Sequence, residues 1–232
     1  MTDQVFLSGS GRAKVVVWLF IAGIVTALLS IGSDIAEIEL LQRIGGGGNW
    51  TMAEAEANDL RTAVIATLDG LVIAAGMIAF LIWLHRVRAN LPALGIEDAR
   101  WTPGWAVGWW FVPVWWWFRP FQVVKEIWKA SAPEARPNSW RDASTPALLG
   151  WWWALYILGM FASNIAFRKS MSGPETADEF IASSMAYIVS EGLWVIATIP
   201  AIMVVKGIDR RQTERHDALI QGAPTEVHAT PD

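Results

Sequence analysis

An all-α membrane protein with four transmembrane helices is the fold class this sequence predicts, on three observations. Apolar residues make up 53% of the 232, and they are gathered into long blocks separated by Gly- and Pro-containing turns. The basic residues crowd to one side of those blocks. Between the second and third blocks lies a tryptophan-rich stretch, Trp101 to Ser131, holding eight of the sixteen tryptophans. Aromatic residues at that density beside Arg119, Lys125 and Lys129 suit an interfacial or re-entrant helical element at a membrane–water boundary.

The first span is expected over about 15–36, after Arg12 and Lys14. Without an A-x-A cleavage site this block is predicted to be retained, with Ile35, Ile38, Leu41 and Ile44 continuing it as an amphipathic extension. Gly45 to Gly48 break that helix. Thr51 and Glu54 have capping-box spacing, so a second helix starts near Met52 and spans about 62–84, closed by His85, Arg86 and Arg88. Pro92 and Gly95 end it. Ala66, Gly70 and Ala74 form a small-residue face suited to close helix approach, for which packing alone is a sufficient account.

Pro133, Pro137 and Pro146 mark a loop, and the third span is expected over about 147–167, anchored by Trp151, Trp152 and Trp153. Ser172 and Glu175 suggest another cap before a fourth span over about 180–205, with Pro200 near its end. A short basic helix with Lys206, Arg210, Arg211 and Arg215 follows. The organisation is thus a cytoplasmic N-terminus over 1–14, one four-span domain over 15–216 and a polar, disordered tail over 217–232.

Charge decides how the tryptophan stretch relates to the bilayer. With four spans and both termini inside, two Lys and Arg at the N-terminus, eight in the loop and four after the last span place fourteen of the eighteen on one side. A fifth span through residues 104–124 spoils this asymmetry and strands Arg119 at membrane depth. The stretch is therefore interfacial, its prolines, Pro113 and Pro120, cutting it in two. Phe121, Val124, Trp128 and Ser131 share a helical face, so the second half is expected to lie in the interface plane. Trp105, Trp109, Trp110, Arg119 and Trp128 are the lipid-contacting candidates. Arg119 is suited to hold a lipid phosphate or stack on an indole, against the simpler account of an arginine that snorkels to the headgroups.

These residues carry a resemblance. Gly104-Trp105-Ala106-Val107-Gly108-Trp109-Trp110-Phe111-Val112-Pro113, then Arg119-Pro120, then Glu126-Ile127-Trp128-Lys129-Ala130-Ser131 resemble the signature of a bacterial membrane family catalogued as domain of unknown function 4328. The resemblance implies a four-span bacterial membrane protein over roughly Val15 to Arg215 and assigns no activity. One departure is visible: the family has an Asn-Leu-Trp-like triplet before Arg-Pro where this chain reads Trp116-Trp117-Phe118.

Motifs of soluble enzymes are missing: there is no G-x-S-x-G, P-loop, G-x-G-x-x-G or H-E-x-x-H. The three histidines, His85, His216 and His228, lack metal-ligand spacing, so no metal or cofactor is expected, and zero cysteines exclude thiol chemistry. A net charge of −4 with dispersed basic residues argues against nucleic acid. What remains is the intramembrane polar set, Asp69, Glu191 and Asn164, costly in lipid and so expected to face protein or water. Counted from the outer side, Asp69 and Glu191 fall roughly 6 and 3 Å from the midplane, level enough to face each other, with Asn164 about a turn higher and no Lys or Arg at that depth.

The leading functional reading is a non-catalytic assembly or lipid-interacting component of the bacterial cytoplasmic membrane, both termini cytoplasmic. Its expected partners are the bilayer and a second copy or another membrane protein. The alternatives are a proton, cation or small-solute pathway through Asp69 and Glu191, and an interfacial lipid-acting enzyme, which lacks a nucleophile–base pair.

Overall fold

The computed structural model describes residues 5–136, 139–173 and 176–222. Among them there is no strand; the elements are α1 (Ser10–Gly45), α2 (Met52–Ala89), α3 (Pro103–Gly108), α4 (Arg119–Ala130), α5 (Ala147–Met171) and α6 (Ala177–Gly222), with single 3₁₀ turns at Pro92–Leu94, Trp115–Trp117 and Trp140–Asp142. Helices α1, α2, α5 and α6 are the four long and apolar enough to cross a membrane. The fold is an all-α, four-span membrane protein with the tryptophan-rich element between spans two and three.

Local chemistry sets the helix ends. The Glu54 N–H donates to Thr51 Oγ1 at 3.2 Å and the Thr51 N–H to Glu54 Oε2 at 2.9 Å, a reciprocal cap that starts α2. Gly95, at φ 78°, closes the 3₁₀ turn that follows α2. The start of α6 differs from expectation: Thr176 and Glu179 form the reciprocal pair, each N–H donating to the other's side chain at 3.3 Å. Ser172 instead turns back onto the Lys169 carbonyl at the end of α5, and Glu175, like Pro137, lies outside the described residues.

Helix α6 is one element of 46 residues with Pro200 inside it, so the basic segment after Val205 is no separate helix. Its continuation through Gly222 also corrects the expected disorder from Asp217, since the first residues of that tail are helical. Residues 223–232 lie outside the described set.

The chain divides into two compact units. The first comprises the described residues within 1–11, 83–145 and 206–232, and its core is formed by Trp83, Leu84, Val87, Leu91, Leu94, Val123, Val124, Ile127 and Ile208. Polar side chains bind it as firmly as apolar ones. Arg215, 4% exposed, donates to the carbonyls of Leu94, Ala130 and Ala132 at 2.9–3.3 Å. Gln212 Nε2 donates to Val87 O and Ser131 Oγ, and its Oε1 accepts from Asn90 Nδ2, which also donates to Leu7 O. The N-terminal segment is further held by Ser10 Oγ donating to Asp209 and by Phe6 stacked on His216 at 4.0 Å.

The second unit, residues 12–82 and 146–205, is the body of the four long helices. Phe20 and Phe80 stack at 6.2 Å, and a Cβ at Gly76 of α2 would stand 3.7 Å from the Phe20 ring. Gly159 on α5 likewise admits the Trp194 ring, at 3.4 Å from where a Cβ would stand. The Ala66, Gly70 and Ala74 face is exposed, with open space around Gly70. The close approach expected of it is therefore not made by another helix of this chain.

Candidate functional site

Two polar assemblies stand out, one in each unit. In the first, the tryptophan-rich element folds as α3, a tight turn, and α4. Thr102 caps α3 by accepting from the Trp105 N–H at 3.3 Å, and Pro103 and Pro120 sit in the first turns of α3 and α4, where a missing N–H costs nothing. Pro120 thus begins a helix. Between them Val114 adopts φ 67°, ψ −45°, a strained geometry for a β-branched residue.

That turn brings Trp115 beside Arg119. The guanidinium carbon lies 4.6 Å from the Trp115 ring centroid, 5.1 Å from Trp101 and 5.4 Å from Trp109, an arginine enclosed by three indoles. The rings also touch one another, Trp109 lying 4.8 Å from Trp105, 5.5 Å from Trp101 and 6.2 Å from Trp115. Arg119 Nη1 donates to Gln122 Oε1 at 2.9 Å.

Glu126 fixes the cage from behind: its Oε1 accepts the Trp101 N–H at 3.4 Å. Burial pushes its carboxyl above the usual range, opposed by backbone N–H groups of Trp101 and Arg100 and by the charges of Arg88 and Arg141. Asp98 clasps the loop further along, accepting Trp140 Nε1–H at 2.7 Å and Arg141 Nη1 at 2.5 Å. The Trp140 bond, then Arg141, holds the Asp98 carboxyl below its ordinary value.

Of the lipid-contacting candidates, Trp105 is 52% exposed, while Trp110 and Trp128 are each only 8% exposed, so neither offers surface to lipid. The α4 face expected to rest on the membrane is buried in the first unit's core instead. Trp128 packs on Gly207 under Arg211, whose guanidinium lies 4.4 Å over the ring, and Val124, Ile127 and Ser131 are buried with it. Amphipathicity records that a face is covered, and here protein covers it. The exposed aromatic surface of the element comprises Trp105, Phe111, Trp115, Trp116 and Phe118, from α3 and the turn.

In the second unit the buried polar residues are Thr26, Ser33, Asn58, Asp69, Ser183, Ser184 and Ser190. Asp69, 7% exposed, accepts Thr26 Oγ1–H at 2.5 Å. Glu191 lies within electrostatic reach of Asp69 and of Asp34. Asn164 does not join them; it is exposed and accepts from Arg168 Nε at 2.8 Å.

The nearest cation on α2 is Arg61, eight residues before Asp69, and it is within electrostatic reach of Asp34. It donates to Ser33 Oγ, Ser33 O and Asn58 Oδ1, and Glu37 accepts from Asn58 and Ser184. Sequence reasoning missed this network because it took the end of α1 for an amphipathic extension. Ile35 is exposed while Ser33 is buried: beside lipid the apolar face turns outward and the polar face packs inward, so Asp34 and Glu37, three apart, were the available signal.

No three His, Cys, Asp or Glu among the described residues are grouped to hold a metal ion. No curated protein and no solved structure matches the chain. The motif residues nonetheless have definite places in this geometry: the arginine sits in its indole cage, the Glu126 carboxylate behind it and Trp128 against α6. A family model matches residues 47–210, from the turn before α2 to the basic stretch of α6 with α1 left outside, and by that match the chain belongs to the family described as a domain of unknown function (DUF4328).

Proposed function

We propose that this protein is a non-catalytic, lipid-interacting component of the bacterial cytoplasmic membrane, with both termini cytoplasmic and the tryptophan-rich element seated in the inner leaflet. The observation that carries this reading is the exposed aromatic surface of Trp105, Phe111, Trp115 and Phe118, borne on a 6-residue helix, a 3-residue turn and the irregular residues beside them, none long enough to cross a bilayer. The fourteen-to-four charge asymmetry supports the orientation, as does the gathering of the N-terminal segment, the loop and the end of α6 into one compact unit.

The chain has no cysteine, so a single nitroxide at Phe111→Cys reports depth without background. In liposomes the label should prove accessible to oxygen and shielded from a water-soluble nickel chelate, at a depth of about 5–10 Å below the headgroups. Full accessibility to the chelate, or a position at the bilayer centre, sinks the reading.

Proton or cation movement through Asp69 and Glu191 is a second reading, favoured by the buried Asp69–Thr26 pair beside Glu191. Against it, within the second unit the buried side chains of α1 and α2 on the far side of Thr26 and Asp69 from Arg61 are apolar, Val16, Val17, Phe80 and Leu81 among them. Proteoliposomes should show no flux that Glu191→Gln abolishes.

A further inference from the structure

Arg119 has an unusual electrostatic position. Its Nε is buried without a partner, its Nη1 is used by Gln122, and among the described residues no carboxylate pairs with it. A second guanidinium shares the same plate: Arg100 lies 4.5 Å from the Trp101 centroid, exposed, and likewise without a carboxylate partner among the described residues. Two cations stacked on one indole gain from its quadrupole but repel each other. Glu126 does not balance them alone, because it also faces Arg88 and Arg141 and holds backbone N–H groups of the Arg100–Trp101 turn. The arrangement is a concentrated positive charge in want of an anion.

Its surroundings say what kind of anion. The exposed side chains of Trp105, Phe111, Val114 and Phe118 form an apolar collar on the same element. Inorganic phosphate has nothing to place on such a collar, and a nucleic acid would have to cover it with charge. A phospholipid meets both demands, offering phosphate oxygens to the guanidiniums and acyl chains to the aromatic rim.

We infer that Arg119 and Arg100, stacked on Trp101, bind the phosphate of an anionic phospholipid. Trp109 and Trp115 complete the orientation of Arg119, and Glu126 acts as a positioning residue through the Trp101 N–H. The inference rests on the inner-leaflet reading above and adds the ligand class and a residue, Arg100, that the sequence did not single out.

The test is native mass spectrometry of the full chain released from detergent in the presence of equimolar phosphatidylglycerol and phosphatidylcholine with the same acyl chains. Phosphatidylglycerol adducts should predominate, and Arg119→Gln and Arg100→Gln should each lower the ratio roughly three- to tenfold, the scale of one charge-assisted phosphate contact at a partly exposed site. Arg210→Gln, which alters an exposed pair with Glu214, should leave the ratio unchanged. Millimolar glycerol 3-phosphate should not displace the lipid.

Equal uptake of the two lipids, an unchanged ratio in Arg100→Gln, an equal fall in Arg210→Gln, or displacement by glycerol 3-phosphate overturns the inference. Because Arg100 lies outside every helix and is exposed, its variant decides the matter even where Arg119→Gln fails to fold. The nitroxide at position 111 separates the two claims. A shielded label without headgroup preference defeats the phosphate site and leaves the membrane seat standing, whereas a water-exposed label defeats both.

Discussion

Gly207 carries no side chain because Trp128 fills the space one would need. A methyl there would stand 2.5 and 2.7 Å from two carbons of the indole, and the ring cannot swing aside beneath Arg211 in a site where it is 8% exposed. Gly207→Ala should therefore destabilise the first unit by about 1–3 kcal/mol, the usual scale of overpacking, seen as a lower Tm in detergent. Gly70→Ala, with open space around it, is the matched control and should not lower it. Trp128→Phe in the Gly207→Ala background should recover part of the loss, since neighbours in contact couple. None of this was legible in the sequence, where Gly207 was one small residue in a basic stretch and Trp128 one of many tryptophans. Arg119, isolated between Phe118 and Pro120, could be singled out, and stacking on indoles was one of the two roles expected of it.

At the level of elements, the loop that carries the cage depends on the Asp98 clasp. Because hydrogen bonds from Trp140 and Arg141 depress the folded carboxyl below its ordinary value of 3.8, the clasp contributes stability above that value and loses it as pH falls through the depressed one. Protection of amides at residues 96–101 and 139–143, taken relative to the intrinsic exchange rate at each pH, should fall as pH drops below 3.8, and Asp98→Asn should show the lower protection already at neutral pH. Glu126 runs the opposite way. With its carboxyl raised by burial, its contribution is full below 4.5 and declines as pH climbs through the raised value, so the two carboxylates limit the loop from opposite sides. Long apolar blocks, the Thr51–Glu54 cap and the Pro92–Gly95 stop were readable because each is a local pattern. The fate of the apolar face of α4 was not, since periodicity is the same whether lipid or protein covers it.

For the molecule as a whole, hydropathy and charge gave the four-span architecture, because apolar length and the distribution of Lys and Arg are summed over many residues and tolerate local error. The orientation invites a direct measurement. In intact cells a membrane-impermeant maleimide should label Gly46→Cys and leave Ser139→Cys unmodified until the cells are opened; the reverse pattern refutes the assigned sidedness. The acidic network of the second unit was only half visible from sequence, as Asp69 and Glu191 lie mid-block whereas Asp34, Glu37, Asn58 and Arg61 lie at or beyond the ends of the apolar blocks, where polar residues ordinarily meet water.

Helix α6 has a consequence for the order in which the molecule is made. Its residues Gly207, Arg211, Gln212 and Arg215 supply the packing surface and hydrogen-bond donors that Trp128, Ser131, Leu94, Ala130 and Ala132 require. All of those partners leave the ribosome earlier, as does the N-terminal segment that Asn90 and Asp209 hold. The tryptophan-rich element is thus synthesised with its carbonyls and buried ring unmet, and it stays open until residues beyond Lys206 emerge. Translation arrested before that point leaves a nascent chain with its spans formed and its aromatic element unclosed, a natural substrate for membrane quality control.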